Sequence, residues 1–222
     1  MKEYPGLTVS VRDVRGNDII DMLNENYDNG NDICDIALRN DNDGVLSNDL
    51  LPRGVVYKYT PYDIKEHMIP GCDDETLMLM GEAQILIYND EIYSEMPVSN
   101  WWELTEEHWK NKVVIASLMR SITGYSFLAT ILSRGELMEE AYKKWSGKSY
   151  ETIDGLDAGH YFLRQLMENG LVLTNSSYEV MEMIGLPNTH NDSLGIVISS
   201  KLRLCDIGFC VAPVTEIGRA HV

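Results

Sequence analysis

Short apolar runs alternate with helix-forming segments along most of this chain, and that alternation constrains the fold more than any other feature. In the first third, Leu7-Thr8-Val9-Ser10-Val11 places Leu7, Val9 and Val11 on one face, as a strand would. Asn17 or Asp18 can then cap a helix carrying Ile19, Ile20 and Leu23. Ile33-Cys34-Asp35-Ile36-Ala37-Leu38 follows as a short, mainly apolar strand, ending in the polar loop Arg39-Asn40-Asp41-Asn42-Asp43-Gly44. A β-α-β order of this kind predicts an α/β fold with a parallel-type sheet flanked by helices, its strand ends opening on a crevice.

The same logic continues downstream. Gln84–Tyr88 reads as a strand, Trp101–Thr105 as a short helix anchored by aromatic residues, and Val113–Ala116 as a strand. Ser121-Ile122-Thr123-Gly124-Tyr125 opens an apolar helix through Leu132. Helices are expected over Glu136–Trp145 and over Ala158–Asn169, the latter closed by Gly170. Leu171-Val172-Leu173 is a short strand, Ser176-Ser177-Tyr178-Glu179 starts a helix through Ile184, and Leu194–Ile198 is the last clear strand. The adjacent Trp101 and Trp102 are expected in the core rather than stacked on a ligand.

Composition removes several function classes. With 35 acidic and 18 basic residues in 222, the net charge is −17 and the isoelectric point about 4.5. Nucleic-acid binding needs a basic face, so no nucleic-acid partner is expected. A polybasic membrane anchor is disfavoured on the same ground. The hydrophobic fraction of 44% is enough for a substantial core. The four cysteines, at 34, 72, 205 and 210, form no C-x-x-C pair and are read as buried thiols.

Catalytic motifs are missing. His67, His108, His160 and His190 make no H-x-x-x-H pair, so no metal site is expected. There is no G-x-S-x-G elbow and no phosphate loop ending in Gly-Lys-Ser/Thr, and Gly16, Gly30 and Gly44 form no dinucleotide fingerprint. An EF-hand register with Gly44 at its sixth position places Arg39 first and Leu50 twelfth, which removes the bidentate carboxylate that calcium needs. No cofactor is implied.

What recurs is a small hydroxyl residue where a strand hands over to a helix: Ser121 and Thr123, then Ser176 and Ser177, then Ser199 and Ser200. Helix N-termini carry free N–H groups and the positive end of the dipole, so such positions can hold anions. Capping accounts for any one of them, and Ser176-x-x-Glu179 has the form of a capping box. Three clusters at strand ends point to a shared binding crevice.

One segment carries a family resemblance. Tyr88-Asn89-Asp90, Pro97, Trp101-Trp102-Glu103-Leu104-Thr105 and Trp109-Lys110-Asn111-Lys112-Val113 resemble, in order, a motif series of the extracellular (periplasmic) solute-binding proteins of ABC importers. The resemblance is to family 1, in its ferric-iron, polyamine and phosphonate-like branch. Ser121–Leu128 resembles that branch's S-x-T-G-Y-x-x-L helix start, Asn175-Ser176-Ser177 its S-S-x-x-V element, and Leu194-Gly195-Ile196-Val197 one of its strands. The resemblance runs from about Leu7 to Val214.

It implies a two-lobed periplasmic-binding-protein (type II) fold, incomplete here, with parallel-type sheets flanked by helices. Residues 1–86 would form part of a first lobe lacking its first strand and helix. Residues 87–205 would form the second lobe with the hinge crossing, and 206–215 a return segment. It further implies a non-enzymatic receptor that captures a small polar or anionic solute and delivers it to ABC permease subunits. Such a receptor acts as a monomer outside the cytoplasm, in the periplasm or lipid-anchored at the outer face of the membrane, with its signal sequence absent from this fragment. The ligand set would be Arg39, Asn40, Asp41, Asp43, Ser121, Thr123, Gly124, Tyr125, Ser176, Ser177, Ser199 and Ser200. The solute classes considered are phosphorylated, carboxylated and polyamine-like molecules. Iron-binding members carry adjacent tyrosines where this chain has Ser199-Ser200-Lys201, so ferric binding by such a pair is not expected. The alternatives are a sensor or regulatory domain on the same fold and an α/β transferase.

The two ends look cut. Met1 reads as an internal methionine, and Glu216–Val222 back-translates to a string matching a sequencing adapter read in frame, so the native chain is expected to continue past about Thr215.

Overall fold

The computed structural model describes residues 5–14, 18–31, 34–39, 41, 44–68, 77, 83–117 and 121–214. It divides the chain into two units, residues 1–79 and 80–222. The sequence expectation places a boundary after 86. In the structure the strand over Gln84–Asn89 lies whole in the second unit.

The first unit is built on helix α1 (Asp18–Asp28), with a π-helical turn over Leu46–Leu50 and a single helical turn, α2 (Tyr62–Lys65). Ile20 and Leu23 of α1, one turn apart and so on the same face, bury against Leu50. Ile19, Val45, Leu46, Val55 and Val56 fill in around them. Arg53 ties the second segment to the helix, donating to Asn24 Oδ1 at 2.9 Å, while the Tyr27 hydroxyl donates to the Arg53 carbonyl at 2.9 Å. The helix with its core residues matches the sequence expectation.

The strands expected here do not. Leu7, Val9 and Val11 are exposed and unpaired, and so are Ile36 and Leu38; Ile33 lies outside the described residues. Among the described residues the first unit contains no strand, and the β-α-β reading of this third is corrected. Alternation makes a segment able to be a strand, but a partner's ladder bonds and a packed face make it one.

The second unit is a mixed sheet with helices on both faces. Its strands are β1 (Gln84–Asn89), β2 (Val113–Ala116), β3 (Val172–Thr174), β4 (Leu194–Ile198) and β5 (Val211–Pro213), in the spatial order β3-β2-β4-β1-β5. β2 runs parallel to β3 and to β4; β1 runs antiparallel to β4 and β5. The remaining helices are α3 (Ile122–Ser133), α4 (Gly135–Ser146), α5 (Ala158–Glu168) and α6 (Ser177–Gly185). Strands β1 to β4 and these helices lie where the sequence periodicity places them, within a residue or two.

Side-chain alternation divides the unit into two cores. Leu86 and Tyr88 of β1, Val113 and Ile115 of β2, and Leu194 and Ile196 of β4 face one side, with Phe127 and Ile131 of α3, Met138 of α4 and Phe162 and Leu166 of α5. Ile87, Val114 and Val197 face the other, with Val180, Met181 and Ile184 of α6. Strands buried on both faces need an unbroken apolar run, which is why β1, β2 and β4 show one. The first core is dominated by Trp101 and Trp102, both buried, in a 3-10 turn over Trp101–Thr105 that Asn100 caps by accepting the Trp102 N–H at 3.0 Å. The Trp102 ring packs edge-on against Tyr142 and Phe162 and stacks with Trp145. The core expectation for this pair holds. The cysteine expectation does not: Cys34 is exposed, Cys205 and Cys210 are partly exposed, and Cys72 lies outside the described residues.

Candidate functional site at the ends of the parallel strands

The site follows from where the chain goes after each parallel strand. From β2 it passes to α3, on the face of the first core. From β3 it passes to α6, and from β4 to a 3-10 segment over Ser199–Ile207; both pack on the opposite face. Adjacent strands whose continuations diverge to opposite faces leave a crevice at their C-terminal ends, the position where open α/β sheets place ligands.

Register brings three serine-led starts to that edge. Ile115 lies beside Leu173 of β3 and Ile196 of β4, so the three strands end nearly level. The β2–β3 ladder extends one rung further, with the Ser117 N–H donating to the Thr174 carbonyl at 2.8 Å. Ser121 then leads α3, Ser176 leads α6, and Ser199 leads the 3-10 segment.

The three serines are not equivalent. Ser121 is extended (φ −112°, ψ 130°) as an N-cap residue must be, yet its side chain makes no capping bond. The first turn of α3 holds no acidic residue, so no carboxylate of its own offsets its N–H groups and positive dipole end. Ser176 does cap α6, its Oγ accepting the Glu179 N–H at 3.2 Å. The Glu179 carboxylate reaches back one residue further than a capping box requires, accepting the Asn175 N–H at 2.8 Å. That carboxylate places negative charge on the start of α6 and makes it the weaker anion acceptor. The Ser199 hydroxyl accepts the Ala83 N–H at 3.3 Å.

Of the other expected positions in this unit, Gly124 is buried in α3 and Tyr125 is half exposed. Ser177 is buried at the start of α6, and Ser200 follows Ser199 in the 3-10 segment. Thr123 lies within α3, and its side chain is outside the described residues. Arg39 and Asp41 belong to the first unit, where their side chains approach to 3.4 Å. Asp41 Oδ1 accepts the Leu46 N–H at 2.9 Å, so this carboxylate serves as a local turn cap. Asn40 and Asp43 lie outside the described residues.

Two residues at the edge escape sequence reasoning: Ser117, at the end of β2, and Thr174, whose buried hydroxyl donates to the Ser176 carbonyl at 3.0 Å. The signal was there in each case, as the first hydroxyl at the end of an apolar run. Among the described residues no three His, Cys, Asp or Glu side chains cluster as metal ligands.

No protein-family model and no curated protein matches this chain. Among solved structures it is similar to iron-bound HitA from Pseudomonas aeruginosa, at 12% identity and a TM-score of 0.41, over 61% of this chain and 37% of that one. It is similar to a candidate extracellular solute-binding protein from Bordetella parapertussis at 13% identity and a TM-score of 0.40, over 60% of this chain and 38% of that one. A two-component system protein in signal transduction gives 12% identity and a TM-score of 0.40, over 60% of this chain and 37% of that one. This chain thus spans 37–38% of the length of these structures.

Proposed function

We propose that this chain is the solute-binding part of an ABC-import receptor, and that its second unit holds a small anionic or strongly polar solute at the C-terminal ends of β2, β3 and β4. The observation that carries the reading is the divergence of the chain after β2 to one face of the sheet and after β3 and β4 to the other. The ordered Trp-Trp and Trp-Lys motifs support the same reading. The start of α3 is the primary anion contact in this proposal, through its first-turn N–H groups and the Ser121 hydroxyl. The Ser176 hydroxyl proton is a second donor, since its oxygen alone is engaged in capping. With the chain at −17, an anion is held by these short-range dipoles and not by the overall field.

On this reading the protein binds without turnover, works as a monomer outside the cytoplasm, and hands its solute to a permease. The two-lobed type II arrangement and a role for Arg39, Asn40, Asp41 and Asp43 belong to the same proposal. The test is isothermal titration and thermal shift of the full chain with inorganic phosphate, methylphosphonate, citrate and spermidine. Saturable binding of an anion, weakened about tenfold by Ser121→Ala, supports it; a hydrogen bond to a charged group is worth about 1.5–3 kcal/mol. No binding of any anion, or binding that Ser121→Ala and Ser176→Ala leave unchanged, overturns it.

A further inference from the structure

Two cysteines sit on either side of one tight turn. The 3-10 segment ends at Gly208, whose φ of 102° reverses the chain. The Gly208 N–H donates to the Cys205 carbonyl at 3.0 Å, and the Phe209 N–H donates to the Leu204 carbonyl at 3.2 Å. These paired bonds are a Schellman closure. The reversal brings Cys205 back against the start of β5, with its Sγ 3.6 Å from the carbonyl of Val211, the residue after Cys210. The Cys210 Sγ lies 3.9 Å from the Gly208 carbonyl, inside the same turn. Both cysteines are partly exposed, and Asp206, Ile207 and Gly208 between them are exposed, while Cys205 and Phe209 also pack against the second core.

We propose that Cys205 and Cys210 form an intrachain disulfide when the protein meets a disulfide oxidant, fastening the 3-10 segment to β5. One cysteine thiolate attacks a sulfur of the oxidant's disulfide, forming a mixed disulfide and releasing one thiolate. The second cysteine thiolate attacks the protein sulfur and expels the other. Overall two protein thiols lose two protons and two electrons, and the oxidant is reduced to two thiols.

The surroundings of Cys210 set the rate. Partial burial, then the Glu91 carboxylate beside it, then Asp90 and the neighbouring Cys205, push its thiol above the ordinary value. Glu91 is held in place by accepting the Asn188 N–H at 3.1 Å. The bridge therefore forms faster as pH rises, and Glu91→Gln, which keeps an acceptor oxygen for Asn188, speeds it at neutral pH. A thiol pKa lowered by one unit raises the rate about threefold, because the gain in thiolate is partly offset by lower nucleophilicity.

The test incubates the full 222-residue chain with oxidised glutathione. Trapping with an alkylating agent and non-reducing peptide mapping then identify the product. The expected product is one peptide pair joining Cys205 to Cys210, absent from Cys205→Ser and from Cys210→Ser, and formed faster in Glu91→Gln. Both thiols remaining fully alkylatable, a persistent glutathione adduct, or a bridge from either cysteine to Cys34 or Cys72 would each overturn the proposal.

Discussion

Ser199 is bonded twice to Ala83: its backbone N–H donates to the Ala83 carbonyl at 2.8 Å, and its hydroxyl oxygen accepts the Ala83 N–H at 3.3 Å. The register pairs Gln84 with Ile198, so this contact extends the antiparallel β1–β4 ladder by one rung at the edge where the solute site is proposed. Ser199 anchors that edge, whereas Ser121 at the start of α3 has no capping duty.

The two residues should separate in experiment. Ser199→Ala keeps the backbone bond and loses the side-chain one, so it should lower stability by about 0.5–1.5 kcal/mol. Its effect on phosphate affinity should be smaller than that of Ser121→Ala, which in turn should cost little stability. Urea denaturation of both variants, alongside phosphate titration, checks the pair.

Trp102 is the largest fully buried side chain of the second unit, and its indole N–H donates to the Met138 carbonyl at 3.0 Å. That bond joins the 3-10 turn over Trp101–Thr105 to α4. Trp102→Phe keeps an aromatic ring and leaves the Met138 carbonyl its bond within α4, but loses the tie between the two elements, at a cost of about 0.5–1.5 kcal/mol. Trp102→Ala also opens a cavity and should cost about 3–5 kcal/mol. Urea midpoints read by circular dichroism should rank wild type, Phe and Ala in that order.

Gly195 sits in the middle of β4, where α6 crosses the sheet. A Cβ built there would lie 2.7 Å from Val180 Cγ1, 3.0 Å from Ile184 Cγ1 and 3.1 Å from Ile87 Cγ1. All three neighbours are buried, so none can swing into solvent. Gly195→Ala should therefore cost about 1–3 kcal/mol by overpacking, although alanine is otherwise the better strand residue. An unchanged urea midpoint would mean that α6 can shift away from the sheet.

The contrast between Leu7–Val11 and Leu194–Ile198 shows how far the sequence could be read. Both alternate or run apolar, and both satisfy the strand pattern. Only the second has neighbours on both sides and helices on both faces, and those contacts come from residues far away in the chain. Helices α3 to α6 were legible because a helix is specified within its own segment, by a capping residue such as Ser176 or Asp157 and by a glycine such as Gly170 past its end. The candidate site was legible as a recurrence of serines at strand ends. That Ser176 caps was legible from its spacing to Glu179; that Ser199 anchors and Ser121 does neither was not, because Ala83 bonds Ser199 from far away in the chain.

Asp157 gives the pH dependence of one of these caps. Its Oδ1 accepts the His160 N–H at 2.9 Å at the start of α5, and its carboxylate lies 2.8 Å from His160 Nδ1. The backbone bond from His160, then the side-chain bond to it, hold the Asp157 carboxyl below its ordinary value. A carboxyl depressed in the folded state contributes stability that is fully present above its unfolded value, about 3.9, and is lost as pH falls through the lower folded value. Asp157 is half exposed, so water screens its charge and the capping bond supplies the larger share. Asp157→Ala should cost about 1 kcal/mol at pH 7. The gap between the two proteins should hold down to about pH 5 and narrow through pH 4 and below, as the wild-type carboxylate takes up its proton. Urea denaturation of both proteins from pH 7 to pH 3 measures that gap, and a gap unchanged at pH 3 would show that the cap does not depend on the charge.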